Sequence, residues 1–505
     1  MSLFFFDKPD YAETHFKFKL PWSLLYRAFP EVFFDAPFQV VQGKNLKIWL
    51  GVKEAQKFPV TLLNVTFEIF KTESNKKFFI RQEETPLSVF VNENLFFIPF
   101  EFKNLEPGHY EIFPTVKIRK GSQTKKITRF NFPGLKKKPL QIQILEEDLP
   151  KPKNYFAGEF HTHSAYSNSH VEFGAPLKII QECASLIGLD FVNVTDHSYD
   201  FQFQKIDYTK EDSAEKRFLE FQRETETLEK YPLCIASEEI SAGNFKNENV
   251  HLLSFGNPHF LPGLGDSGRY WLKNKPTLSL KEILKDAKTP FFAAHPQAEM
   301  NALERFVFNR GYYSEKDIEG LTGLQFWNGV RDAGFFLGKA FWIQMLEKKK
   351  YLLPIGGNDA HGDFNDTTSV SLPLFKLRYT KDHVFGKVRT VIRAKECSVL
   401  ALTEAFQNGE LYVTNGPALW FEKSQTEVRF FLKSSKDFGA FYSLEIFGQK
   451  KEWLSSDAKE ILIRKELALP YAFEMALDIK DFNYVRAEAK TNLGYFVFTA
   501  AVVCN

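Results

Sequence analysis

Cysteine is scarce in this chain. Its four cysteines, Cys183, Cys234, Cys397 and Cys504, lie far apart among 505 residues and form no CxxC pair. That excludes a disulfide scaffold and a thiolate zinc site, and it fits a reducing compartment. An excess of one charge is also missing: 65 Lys and Arg face 63 Asp and Glu, a net charge of +2. Such a balance leaves no electrostatic footprint for nucleic acid. The short basic runs Lys136–Lys138 and Lys348–Lys350 read as solvated loop or helix ends. No run of about 18 apolar residues occurs, so no membrane span is expected. The start of the chain, Met-Ser-Leu-Phe-Phe-Phe-Asp, lacks a basic n-region ahead of an apolar stretch. The expectation is a cytoplasmic protein acting on a small molecule, with no nucleic-acid or membrane partner.

What is present is ordinary globular composition, 44% hydrophobic and 25% charged, with an excess of Phe, 55 residues spread along the whole chain. The Phe excess reads as core. The length calls for more than one domain. Residues 1–150 read as β. The stretches Val60–Lys71, Leu95–Phe102, His109–Ile118 and Lys126–Phe132 have strand length, and turn signals such as Glu106-Pro107-Gly108 and Lys120-Gly121-Ser122 separate them. This pattern predicts a β-sandwich-like domain. Glu146–Asn154, charged and holding two prolines, reads as a linker. Residues 155–420 then alternate strands (Tyr155–Phe160, Phe191–Val194, Leu233–Ala236, Phe291–Ala294, Leu321–Trp327, Leu352–Ile355) with helices (Pro176–Ile187, about 210–230 and about 335–350). That alternation argues for an α/β sheet or barrel. Residues 421–505 return to β and predict a second, C-terminal β domain.

Eight of the 11 histidines lie between 161 and 361. His161-Thr162-His163 follows a predicted strand. Residues i and i+2 of an extended chain share a face, so both imidazoles reach one point. Asp359-Ala360-His361 repeats this after Gly356-Gly357. Asp196-His197, Glu239 and His295 likewise follow predicted strands. His251 is the variation, at the start of one. In a parallel barrel the C-terminal strand ends form one rim, where active sites sit. One HxH alone occurs by chance, and Glu238 competes with Glu239. The set taken together points to metal. Imidazole with carboxylate suits Zn, Mn or Fe, whereas Ca or Mg prefers oxygen. Eight ligands exceed the four of one closed zinc site, so two or three divalent metals sharing a bridging carboxylate are expected. Clustered metals lower the pKa of bound water and clamp phosphoryl oxygens. His170 and His259 have no such placement, and His15, His109 and His383 lie outside the pattern.

These residues resemble the PHP superfamily, the polymerase and histidinol phosphatase metallohydrolases. GEFHTHSAYS around His161 and His163 is similar to its first motif. GLDFVNVTDHS around His197, SEEIS with VHLLSFG around Glu239 and His251, AAHPQ at His295 and GGNDAHG at Asp359 and His361 follow in order. The resemblance spans about residues 155–420. LTEAFQNGELYVTNGP at Leu402–Pro417 resembles the closing segment of a subgroup that includes bacterial carbamate-insecticide hydrolases. The resemblance implies a distorted seven-stranded (β/α) barrel and phosphoester hydrolysis. It implies His161, His163, His197, Glu239, His251, His295, Asp359 and His361 as metal ligands, with Asp196 beside them. Glu239, His251 and Asp359 are taken as catalytic, and Asn328 and Arg331 as substrate-binding. Two positions depart from the family: Asn168 stands where an aspartate is usual, and Gln325 replaces the glutamate of an E-x-W-N strand. Rival expectations on the same residues are carbamate, ester or amide hydrolysis, nuclease action, and a binding protein with a degenerate metal site.

Overall fold

The computed structural model describes residues 29–504 apart from 75, 132–135, 168–173, 206–209, 268–274, 286, 301, 372–375 and 452–458. The expectations placed on Asn168 and His170 lie outside the described residues.

The N-terminal part forms two sheets around one core. A three-stranded sheet holds Glu31–Asp35, Leu46–Lys53 and Leu95–Phe102, and a six-stranded sheet holds Val60–Glu73, Lys76–Val91 and Gly108–Lys120 among others. Alternate residues of Val60–Glu73 turn inward, so Val65, Phe67 and Ile69 meet Ile48 and Leu50 of the other sheet. The strand Lys76–Val91 does not show in the hydrophobic pattern. It is largely exposed and carries Pro86, and it sits at the sheet edge, where a missing N–H faces solvent and costs little.

The central sheet is large and mixed. Along one half its strands run in the order Leu353–Gly357, Gly323–Asn328, Phe291–Ala294, Asn249–Ser254, Leu233–Gly243, Phe191–His197 and Tyr155–His163. Neighbours are parallel except at Asn249–Ser254, which is antiparallel to both of its partners. Helices Leu177–Leu186, Ala214–Glu226 and Ala333–Glu347 connect the strands. Their starts have local causes. The Ser213 hydroxyl accepts from the Lys216 N–H, and the Asp332 carboxylate accepts from the Phe335 N–H, each satisfying a first-turn donor. Past Gly357 the chain bends, and Ala360–His361 pairs in parallel with Thr162–His163. The chain that borders Gly323–Asn328 on one side therefore also borders the HTH strand on the other.

The C-terminal strands do not hang free of this sheet. Leu411–Thr414 pairs with Phe496–Thr499, and the same sheet continues through Phe482–Thr491 to Phe441–Lys450. Ala418–Lys423, Glu427–Lys433 and Ala472–Asp478 make a separate three-stranded sheet. Leu419, Val428 and Phe430 of that sheet share a core with Leu444, Ile446 and Ala487 of the large one. No helix among the described residues is long and apolar enough to cross a membrane.

Behind the HTH strand, Phe160 is fully buried. Its ring stacks on Phe255 at 5.3 Å and meets Phe292 edge-on at 4.9 Å. Side chains at 160 and 161 point to opposite faces, so this aromatic packing holds the strand that carries the histidines. Phe160→Ala should lower unfolding free energy by about 3–5 kcal/mol, read from the denaturant midpoint of the purified variant.

Candidate metal centre

The expected ligand residues arrive at one place through simple strand geometry. His161 and His163 are the last alternate residues of Tyr155–His163. His197 ends Phe191–His197 and lies in register with Glu239 of the next strand. These groups therefore lie on their strands' last residues, with Glu239 well inside Leu233–Gly243, where the sequence pattern expected them just beyond. His251 stands opposite Ser241 in an antiparallel pair. Because its strand runs backwards, its beginning lies where the parallel strands end. That is why a histidine at a strand start joins the same rim. The pleat also separates the two neighbouring glutamates. Glu239 faces the histidines. Glu238 accepts from the Ser198 hydroxyl at 2.9 Å and the Leu261 N–H at 2.9 Å, and burial pushes its carboxyl up to about 8.

Two of the expected ligands lie on strained backbone. His295 has φ 28° and Asp359 φ 53°, the left-handed region, which costs of order 1–3 kcal/mol for such residues and persists where the surroundings over-determine it. Gly357 permits the Asp359 turn to come close: a Cβ there would lie 2.7 Å from the His161 backbone nitrogen.

All eight expected ligands fall into three overlapping groups able to hold metal ions: His163, His197 and His361; His161, His163, Glu239 and Asp359; Glu239, His251 and His295. Glu239 is the hub. Its Oε2 lies 3.3 Å from His161 Nε2, 3.4 Å from His163 Nε2 and 3.0 Å from His197 Nδ1. Its Oε1 lies 2.6 Å from His251 Nδ1 and 3.2 Å from His295 Nε2. Asp359 Oδ1 sits 3.1 Å from His163 Nε2 and 3.3 Å from His161 Nε2. Glu239 Oε2 and His197 Nδ1 are buried and make no hydrogen bond among the described residues. Lone pairs crowded this closely out of water repel unless protons or cations lie between them. The donor set of six imidazoles and two carboxylates fits Zn, Mn or Fe, so these residues suit divalent ions.

The electrostatics agree with such crowding. Burial works against charge on His161, but the Asp359 and Glu239 carboxylates outweigh it and raise the imidazole to about 9. Burial likewise opposes charge on His251, and Glu239 and Asp266 raise it to about 10. His163 is held well below its usual range by burial and by His361 and His197. His295 is lowered, chiefly by burial. Burial would raise Glu239 and Asp359, yet the surrounding histidines hold both well below the usual carboxylate range.

The flanking residues orient the ligands. Gln325, where the resemblance expects a carboxylate, accepts from His161 Nδ1–H at 2.9 Å and donates to Asn328 Oδ1 at 3.1 Å. Asn328 in turn donates to Asp359 Oδ2 at 3.2 Å. The amide thus points His161 Nε2 inward without adding charge. Asp196 accepts from the Ser164 N–H and hydroxyl and from the Ser167 N–H. Through Ser167, whose hydroxyl lies 3.3 Å from His163 Nδ1, it holds the turn beneath His163. Arg331 is exposed with its guanidinium 4.9 Å above the Phe496 ring, and the structure does not bring it to the histidines. Among the described residues Arg310 approaches them, and with Asp266 it has no visible signal in the sequence. Asp266 Oδ2 lies 2.7 Å from His251 Nε2 and 2.6 Å from Arg310 Nε.

No known family model and no curated protein matches this chain. Among solved structures it is similar to the CARDB domain of a Pyrococcus furiosus protein, solved in complex with di-metal ions, at 16% identity over 24% of this chain and 99% of that one, with a TM-score of 0.15. It is also similar to a β-D-mannosidase from Dictyoglomus thermophilum, at 10% identity, covering 93% of this chain and 66% of that one, TM-score 0.23. A β-glucuronidase of glycoside hydrolase family 2 is similar at 8% identity, covering 94% and 49%, TM-score 0.20. The chain thus spans about two thirds and about half of the two glycosidases. TM-scores this low carry no likeness of fold or chemistry.

Metal uptake should release protons. At pH 7 His161 and His251, raised to about 9 and about 10, are protonated in the metal-free protein, and ligation needs each neutral at the metal-facing nitrogen. Titrating Zn or Mn calorimetrically in buffers of different ionisation enthalpy should report about two protons released. Affinity should rise with pH from 6 to 8. A proton count near zero would refute the charge assignment.

Proposed function

We propose that this chain is a metal-dependent phosphoesterase of the PHP type, cleaving a small phosphomonoester or phosphodiester. One observation supports this above others: the eight residues that the motif order names, scattered over 200 positions from His161 to His361, converge in three groups that share Glu239 and His163. We read the central sheet as a distorted barrel, since the bend at Gly357 lets one stretch of chain border strands at both ends of the parallel half.

In this reading His161, His163, Glu239 and Asp359 hold one divalent ion, Glu239, His251 and His295 a second, and His163, His197 and His361 a third. Divalent ions held by these residues would supply a water-derived nucleophile near neutral pH and charge neutralisation at phosphoryl oxygens. The chain's own residues do the rest. Glu239 spans the first two groups with its two oxygens. Side-chain exposure is greatest at Asp359, 21%, and His295, 17%, against 0–7% for the other ligands with ion-pair contacts, so substrate approaches from their side. Asn328, half-buried and bonded to Asp359, stands at that opening as a neutral donor for a substrate oxygen. The four cysteines are free and buried, in keeping with work in the cytoplasm.

The purified protein, loaded with Mn or Zn, should hydrolyse aryl phosphates. Glu239→Gln should lower turnover by more than the ~10–100-fold typical of changes outside the ligand shell. Hydrolysis of aryl carbamates with none of aryl phosphates would move the assignment to acyl chemistry, on which the same ion cluster can act. Absence of bound metal by elemental analysis would leave a binding protein.

A further inference from the structure

A long connection leads from Asn249–Ser254 to Leu280–Leu284. Its residues 261–266 run close against the strands that carry Glu238, Ser241 and Asn249. Leu261 N–H donates to Glu238. A Cβ on Gly263 would sit 2.8 Å from the Ser241 nitrogen, and one on Gly265 would overlap Asn249 and come 2.7 Å from Ser241 Cβ. Only residues without side chains let the backbone run this close. The loop thereby delivers Asp266, whose side chain is wholly buried, to the outer edge of His251.

Asp266 is held there by three donors. It takes His251 Nε2–H at 2.7 Å, Arg310 Nε–H at 2.6 Å and the Ser241 hydroxyl. The other imidazole nitrogen, Nδ1, faces Glu239 Oε1 at 2.6 Å, and His295 Nε2 reaches the same oxygen at 3.2 Å. The two sides of His251 are therefore unlike. On the Nδ1 side a carboxylate oxygen and a second imidazole converge. On the Nε2 side the Arg310 guanidinium comes within 3.5 Å, and its positive charge disfavours a second cation.

We propose that Asp266 is a positioning residue that makes His251 a ligand through Nδ1 and so sets the affinity of the Glu239–His251–His295 group for its divalent ion. A carboxylate on the far nitrogen fixes the tautomer, aims the ring and raises the basicity of the ligating nitrogen. Arg310 balances the charge of Asp266, which keeps the carboxylate ionised next to the ring. The proposal rests on the metal-site part of the reading above and is independent of which bond the protein cleaves.

The test uses the full chain and Zn alone. Asp266→Asn keeps the shape and loses the charge. It should weaken one equivalent of Zn about 10–100-fold and leave the tighter equivalents unchanged, with excess Zn restoring full occupancy. Gly265→Ala, which displaces the loop without touching the carboxylate, should weaken the same equivalent. In parent protein carrying ¹⁵N-histidine, with ¹¹³Cd substituted for Zn, His251 should show metal coupling at Nδ1, and Asp266→Asn should reduce it. Zn titrations of Asp266→Asn that match the parent, or that weaken every equivalent together, would overturn the proposal. So would His251 coupling through Nε2. If the parent binds Zn and Asp266→Asn behaves as expected but no phosphoester is cleaved, only the phosphoesterase reading falls.

Discussion

A single buried carboxylate organises this protein. Glu239 is 1% exposed, and five imidazole nitrogens lie within 3.4 Å of its two oxygens. A carboxylate taken out of water is costly unless positive charge meets it on several sides. Here that charge is either protons on His161 and His251 or metal ions held among the same atoms. Either way, the strands that supply the histidines must stay in register around Glu239. The interior ends of Tyr155–His163, Phe191–His197 and Leu233–Gly243 can be read as scaffolding for one oxygen pair.

Much of the fold near the site serves that register. Glu159, two residues ahead of His161, accepts from the backbone N–H groups of His161, Asn358 and Gly386, which ties the HTH strand to the residue before Asp359. Asn358 bonds back to Val388. Burial raises Glu159 to about 7, and these donors work against the rise. On the opposite face, the Phe160, Phe255, Phe292 and Phe406 rings fill the interior. The site therefore stands on packed strands, and its strained members, His295 and Asp359, are held in place by their neighbours.

The neutral amide at Gln325 illustrates how such a site tunes charge. A glutamate there would add a third negative group against His161, which Glu239 and Asp359 already face. The amide keeps the hydrogen bond that orients the ring and omits the charge. On the far side, Asp266 does carry charge, and Arg310 cancels it. The ionic content near the cluster is thus concentrated on Glu239 and Asp359, the two carboxylates that face the imidazoles directly.

By itself the sequence picked out the eight residues that come together, because an i, i+2 pair, a strand-end histidine and a strand-end acid are local patterns. It also showed most strands and helices of residues 155–361, where hydrophobic periodicity and turn residues are clear. The edge strand Lys76–Val91 escaped, since an exposed edge needs no apolar alternation. The continuity of the C-terminal strands with the central sheet escaped too, because strand pairing is set by non-local hydrogen bonds. Only the tertiary structure decided that His251 joins the rim by running antiparallel, that Glu239 and not Glu238 faces inward, and that Asp266 and Arg310 stand behind His251 while Arg331 stands elsewhere. Each of these depends on the direction or register of a partner strand, or on how a loop packs, and no window of sequence contains its own partner.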